Sequence, residues 1–376
     1  MKLHYRYLVI ALPISIFFVC SAYLQTQKTP WVDECYTYYG VTHKNLEGFF
    51  KSICSGINFS PPLYFFINWI IQLFLNISID FLRIESALWI SLGTFLVFLK
   101  CAKSFGTASA FLGCTLVLLQ SNLLLEQALE ARHYGMLYAC SAWVRFLIPN
   151  NHEFNSRRQK TIYFTAHFAL SCTHYFGIIF SVLTGIIRFW HHRKKKLKES
   201  LPIPEISSCV LALPIYLFLL SLQSSHLGHW PKSNDFPALL NIFSSSLLPI
   251  TLIIPILLFL LFVTSCAKRT AKSGSAILIR ICIIWLLTPL IFWSLSHLSS
   301  LNLFKDRYFI AKEAAVMIIV SYVFHKTITL IGTSKLPFRS ILFPAVSTFL
   351  FCILLILLTT KRRLYGFAPS INFPYP

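Results

Sequence analysis

Residues 61–75 read PPLYFFINWIIQLFL, and whether this apolar stretch crosses a membrane or lies along it sets the orientation of everything that follows. As a single helix it reaches about 22 Å, short of the roughly 30 Å hydrocarbon core. Counting it as a span inverts every later loop. Laying it along the interface places Lys100 and Lys103, Arg157 with Arg158 and Lys160, the Arg193 to Lys198 cluster, Lys268 with Arg269 and Lys272, and Lys335 with Arg339 on one side. By the positive-inside rule that side is the cytoplasm. The exception is Lys361-Arg362-Arg363, which an odd number of spans leaves outside.

Working outward, the chain has 376 residues, of which 56% are hydrophobic and 12% charged, and its mean hydropathy is +0.66. Soluble domains carry about 25% charged residues, so lipid is the solvent here. The apolar runs are too long for barrel strands and predict an all-α integral membrane protein, a polytopic bundle of about eleven transmembrane helices. The expected spans are 7–24, 84–100, 108–124, 136–149, 161–175, 176–190, 206–222, 246–265, 276–295, 309–325 and 340–358. The first follows Lys2 and Arg6, and no small-x-small site precedes Gln25, so it reads as a retained span and not a cleaved signal.

The net charge of +20, from 33 basic against 13 acidic residues, would suggest nucleic acid for a soluble protein. In a membrane protein such charge sets topology and faces lipid headgroups, so membrane lipids and no nucleic acid are the expected partners. Neither GxGxxG nor GxxxxGK[ST] occurs, so no nucleotide-binding loop is evident. The eleven cysteines show no paired CxxC. Cys35 and Cys54 share one outer loop and would form a disulfide on an oxidising side.

In this threading the scarce acids gather at the outer face. Asp33 and Glu34 follow the first span; Glu126, Glu130, Arg132, His133 and Tyr134 follow the third; His174 and Tyr175 follow the fifth; Asp306, Arg307 and Tyr308 follow the ninth. Glu126 and Glu130, four apart, would share a helical face. Each group has a plainer reading: solvated loop charge for Asp33-Glu34, interfacial snorkelling for the arginines, a packing role for His174. Chemically, a carboxylate can take the proton of an acceptor hydroxyl, and cationic groups or a divalent ion can stabilise a phosphate leaving group. Asp33 suits the first task, and Arg132 or Arg307 the second.

At these residues the chain resembles the GT-C superfamily of membrane glycosyltransferases, in particular the protein mannosyltransferase and aminoarabinose transferase-like enzymes that use polyprenyl-phosphate sugars. The resemblance rests on WVDECYTYYG at 31–40, SPPLYFFINW at 60–69, EARHYGMLYA at 130–139, THYFG at 173–177 and DRYFI at 306–310, in that order. It implies a first outer loop with interfacial helices, the Pro-Pro-Leu-Tyr segment among them. It also implies Asp33 as catalytic base with Glu34 as the second acid, and Glu130, Arg132, His133, Tyr134, His174, Tyr175, Arg307 and Tyr308 as substrate and donor-phosphate contacts. Asp33, Glu130 and His174 are the candidate ligands should Mg or Mn be required. Relatives often carry Lys or His before the Pro-Pro; this chain has Ser60, so Arg83, Arg132 or Arg307 would take over the phosphate.

The implied organisation is a transferase module over 1–190 and variable helices over 191–376 without a soluble domain, so an acceptor (lipid, glycan or protein) would be recognised by loops or a partner. The expected location is a bacterial inner membrane with the site facing the periplasm. The competing class is a transporter or lipid flippase, against which stand acids at span ends and no inverted repeat. The threading makes one direct prediction: in a background lacking other cysteines, single cysteines at positions 33 and 130 both react with a membrane-impermeant maleimide from the same side. Labelling from opposite sides overturns it.

Overall fold

The computed structural model describes residues 2–55, 60–149, 154, 156–194, 201–223, 239, 273–298 and 304–333. Among them are thirteen α-helices and a short 3-10 turn: α1 (Lys2–Gln25), α2 (Val32–Val41), α3 (Leu46–Cys54), α4 (Leu63–Phe74), α5 (Ile79–Phe105), α6 (Thr107–Gln120), α7 (Asn122–Ala128), α8 (Tyr134–Leu147), α9 (Arg157–Thr173), α10 (Tyr175–Lys194), α11 (Ile203–Gln223), α12 (Ser273–Leu298), the turn Asp306–Phe309, and α13 (Ala311–Thr333). By length and composition α5 and α12 can each cross a membrane, and α6 with α7 makes a third candidate if the bent pair is one span. The count of about eleven is therefore not reached among the described residues; the expected spans 246–265 and 340–358 lie outside them.

The decisive segment is too short to cross as a helix. It forms α4, about 18 Å long by its twelve residues, ending where Leu75 turns extended. Tyr64, Phe65, Asn68 and Trp69 are buried, whereas Phe66, Ile70, Leu73 and Phe74 are exposed. One apolar face packs inward and the other remains apolar and open, as suits a helix lying in an interface. Gln72 accepts the Ile77 N–H at 2.9 Å and Ser78 caps α5 by accepting the Phe81 N–H at 3.1 Å, so the chain turns sharply from α4 into α5.

The expected third span is broken. α6 ends at Gln120, Ser121 caps α7 through the Leu124 N–H at 3.1 Å, and the two helices meet at 67°. α7 stops at Ala128 with Glu130 in the following bend. Glu126 and Glu130 accordingly share no helical face, a correction to the sequence expectation: the chain leaves the helix so that the 129–133 link can hydrogen-bond to α2.

α5 is the axis of the bundle, with α1, α6 and α8 packed on it and α13 against α5, α6 and α8. Small residues allow the closest approaches. A Cβ on Gly93 would lie 2.7 Å from the Tyr138 ring, one on Gly135 2.7 Å from the Ser86 carbonyl oxygen, and one on Gly113 2.5 Å from the Ser321 nitrogen. Helix ends sort into two groups. Gln25, Arg83, Ala128 and Ala131 meet at one end; Lys100 reaches the Ile148 carbonyl, Phe105 packs on Tyr322, and His191 meets Arg280 at the other. Cys35 and Cys54 are both free thiols, so the expected disulfide is absent.

The Gly135 contact yields a test. Gly135→Val should lower the melting temperature of purified protein by the equivalent of about 1–3 kcal/mol, the usual cost of overpacking, whereas Gly106→Ala, at a positive-φ position with open space, should act only through backbone strain.

Candidate functional site

The site begins with a pair of adjacent acids that face different ways. α2 opens with Asp33 and Glu34 in its first turn, where carboxylates complement the helix dipole. Glu34 is fully buried, as is Arg83 of α5. The Arg83 guanidinium grips Glu34 in a fork, Nε to Oε1 at 2.8 Å and Nη2 to Oε2 at 2.7 Å. Its Nη1 donates to the Lys28 carbonyl at 2.8 Å. Glu34 also accepts the Ala131 N–H at 2.8 Å and the Trp31 N–H at 3.2 Å. Burial by itself would raise the Glu34 pKa, but the Arg83 and Ala131 hydrogen bonds and the Arg83 and Lys28 charges hold it below the ordinary value.

Asp33 points the other way and is partly exposed. Its Oδ2 lies 3.1 Å from Arg307 Nη1 and 3.9 Å from Arg132 Nη2. Arg132 Nη1 donates to the Asp33 carbonyl at 2.9 Å and to Thr37 Oγ1 at 3.0 Å, which locks α2 to the 129–133 link. Arg307 lies over the rings of Trp31, at 5.5 Å, and Tyr134, at 5.7 Å. Three N–H donors here, Arg132 Nε, Arg307 Nε and Trp31 Nε1, are buried without a hydrogen-bond partner among the described residues.

Behind the arginines lies an aromatic floor. His133 and His174 stack at 5.2 Å, and His174 is 5.0 Å from the Tyr308 ring and 5.8 Å from that of Tyr134. His133 Nε2 shares a hydrogen bond with Ser60 Oγ at 3.1 Å. His174 Nδ1 accepts the Phe176 N–H at 3.2 Å, which leaves the proton of the neutral ring on Nε2. Burial, with the nearby Arg132 and Arg307 charges, depresses His174 to about 3. Burial, then His174 and the same arginines, drives His133 well below its usual value. Glu130 approaches Lys28 at 3.4 Å, and burial raises its pKa despite the charges of Lys28 and Arg307.

No protein-family model matches the chain, and no curated protein matches it. Solved structures do. The crystal structure of ArnT from Cupriavidus metallidurans bound to undecaprenyl phosphate matches with a TM-score of 0.57 at 15% identity, over 86% of this chain and 60% of that one. The chain has an ArnT-like fold. The apo state of the same ArnT gives a TM-score of 0.58 at 15% identity, over 90% of this chain and 61% of that one. The chain thus spans about three fifths of the length of ArnT, and the all-helical bundle expected from sequence is observed at the level of fold.

Within this ArnT-like frame Asp33, Arg132, His133, Tyr134, His174, Arg307 and Tyr308 come together, with Glu130 at their edge. Tyr175 touches the floor only at its edge: its ring meets His174 edge-on at 6.2 Å and packs edge-on against Tyr216 at 4.9 Å, in a second apolar cluster with Cys172 and Ala212. Arg83, one of three candidates for phosphate, is consumed by Glu34 and backbone carbonyls. Among the described residues no three His, Cys, Asp or Glu side chains come together to hold a metal. The proposed set of Asp33, Glu130 and His174 does not form because Asp33 turns to arginine, Glu130 to Lys28 and His174 into the aromatic stack. Sequence reasoning missed Thr37, Lys28 and Trp31, whose roles arise from contacts across the fold. The pairing of Ser60 with His133 was equally hidden, although both lie in quoted motifs.

Two outcomes follow. Glu34→Gln strands the Arg83 charge and should destabilise the protein by about 3–5 kcal/mol, whereas Asp33→Asn, at a partly exposed pair, should cost about 1 kcal/mol or less; thermal melts of both purified variants distinguish the two roles. Acidification should also lower stability. The unfolded chain protonates His174 below its ordinary 6.5 while the folded site resists to about 3, and it protonates Glu34 below 4.5 before the folded state does. In both cases the unfolded state binds more protons, so the melting temperature should fall from pH 7 to pH 5 through His174 and His133 and again below pH 4.5 through Glu34. His174→Phe should flatten the first part of that profile.

Proposed function

We propose that this chain is a membrane glycosyltransferase that moves a sugar from a polyprenyl-phosphate-linked donor to a lipid, glycan or protein acceptor at the outer, periplasmic face of a bacterial inner membrane, with inversion at the anomeric carbon. One observation carries this reading: two guanidinium groups, each with a buried Nε–H that has no partner among the described residues, converge on a single partly exposed carboxylate. Two arginines and the Trp31 N–H are donors suited to phosphate oxygens. The ArnT structure binds undecaprenyl phosphate, which supports a donor of that class here.

The chemistry divides between the two charges. Arg307 and Arg132 hold the donor phosphate and stabilise the charge that builds on it as the glycosidic C–O bond breaks. Asp33 takes the proton from the acceptor hydroxyl as its oxygen attacks the anomeric carbon from the opposite face. Asp33 is paired with Arg307; a donor phosphate competes for that arginine, which leaves the carboxylate free to accept a proton. Glu34 is then a positioning residue, its oxygens occupied by Arg83 and two backbone N–H groups. The neutral His133 and His174 and the rings of Tyr134 and Tyr308 form the wall on which the sugar rests. A mirrored transporter mechanism has less support, since the acids of the site lie at helix ends.

The test uses purified protein with radiolabelled polyprenyl-phosphate sugars and an acceptor extract. Asp33→Asn should reduce transfer about 10²–10⁴-fold with donor binding retained. Arg307→Gln should weaken donor binding and reduce transfer about 10²–10³-fold. Full transfer by Asp33→Asn would refute the assignment of the base, and substrate uptake into sealed vesicles without a new glycosidic bond would refute the reaction.

A further inference from the structure

A cavity of about 610 Å³ lies far from the site, between the end of α10 and the start of α12. Its walls are apolar, with Ile186, Ile187 and Trp190 on α10 facing Ile283 and Ile284 on α12. Its rim is cationic: Arg193, Lys194 and Arg280, with His191 beside Arg280 at 3.3 Å. The two helices run antiparallel, since Phe176 packs on Phe292 at 4.5 Å, Phe180 on Trp285 at 4.2 Å and His191 on Arg280. α10 starts beside His174 and ends at Lys194, and the cavity residues lie eleven to nineteen residues along it, about 17–28 Å from its start. The cavity and the site therefore lie toward opposite ends of α10.

We infer that this cavity binds an anionic phospholipid of the leaflet opposite the active site, its phosphate held by Arg193, Lys194 and Arg280 and its upper acyl chain lying between α10 and α12. The chemistry is matched at both ends. An apolar slot bordered by three exposed basic side chains suits an amphiphile with a negative head; a soluble anion would leave the isoleucine walls wet, and a neutral lipid would leave the rim unanswered. Trp190, 66% exposed, stands at the level where aromatic side chains favour the headgroup region. Arg193 and Lys194, both exposed, add long-range attraction for an anionic leaflet. A lipid seated here would hold α10 against α12, and both helices lead to the site: α10 begins at His174, and Phe292 of α12 packs on Phe176 beside Tyr308.

Native mass spectrometry of the delipidated full chain, with equimolar phosphatidylglycerol and phosphatidylcholine of identical acyl chains, tests this. The wild type should retain phosphatidylglycerol at least tenfold better. Replacing Arg193, Lys194 and Arg280 together by Gln should remove that preference, at about fivefold per cation. Replacing Arg157, Arg158 and Lys160 by Gln, which removes equal charge from the same membrane face, should leave it intact. Equal retention of the two lipids by the wild type, equal loss in both triple variants, or displacement of the lipid by millimolar glycerol phosphate would each overturn the proposal. The first comparison needs no variant, so it stands even if one misfolds.

Discussion

The site depends on the buried fork between Arg83 and Glu34. A buried ion pair repays its desolvation only when the remaining polar atoms are also satisfied, and here the fork occupies two guanidinium N–H groups and both carboxylate oxygens. The surplus goes to backbone: carbonyls of Gln25 and Lys28 on one side, N–H groups of Trp31 and Ala131 on the other. One pair thereby ties together the end of α1, the start of α2, the start of α5 and the link between α7 and α8. Because Glu34 faces inward from the first turn of α2, its neighbour Asp33 faces the cleft. Two adjacent acids take opposite roles through the geometry of one helical turn.

The second half of the chain completes the site through charges buried between helices. Arg145 of α8 lies 3.7 Å over the Trp285 ring of α12 and donates to the Ala311 carbonyl at 3.1 Å. Lys312 and Glu313 pair at 2.9 Å with no exposure. Such groups have no favourable fate in lipid except each other and the backbone, and Arg145 thereby connects α8 to α12 and α13. Arg188 and Glu205 do the same for α10 and α11 at 2.6 Å, with Tyr163 of α9 joining at 3.2 Å. These ties hold α13 beside α8 and bring the 306–309 turn over Trp31 and Tyr134, so that Arg307 reaches an acid nearly the whole described chain away.

The arrangement also explains why the histidines at the site are poor bases. Both rings sit in an apolar stack under two arginines, and both burial and like charge oppose protonation. They contribute shape and a neutral surface, while charge is confined to the arginine and carboxylate layer above them.

Much of this was legible in the chain alone. Composition and long apolar runs dictate a helical membrane protein, because lipid leaves no other way to satisfy the backbone. The length of residues 61–75, with the sidedness of lysine and arginine, argued against that segment spanning, and the loops gathered by that threading do meet at one end of the bundle. What sequence could not decide is which acid faces the cleft, where α6 breaks, or which arginine is spent on structure. Asp33 and Glu34 look alike in one dimension, as do Arg83, Arg132 and Arg307. Only the packed bundle separates them, because the difference lies in partners contributed by helices distant in sequence, and in whether each charge retains an open donor or acceptor once those partners are in place.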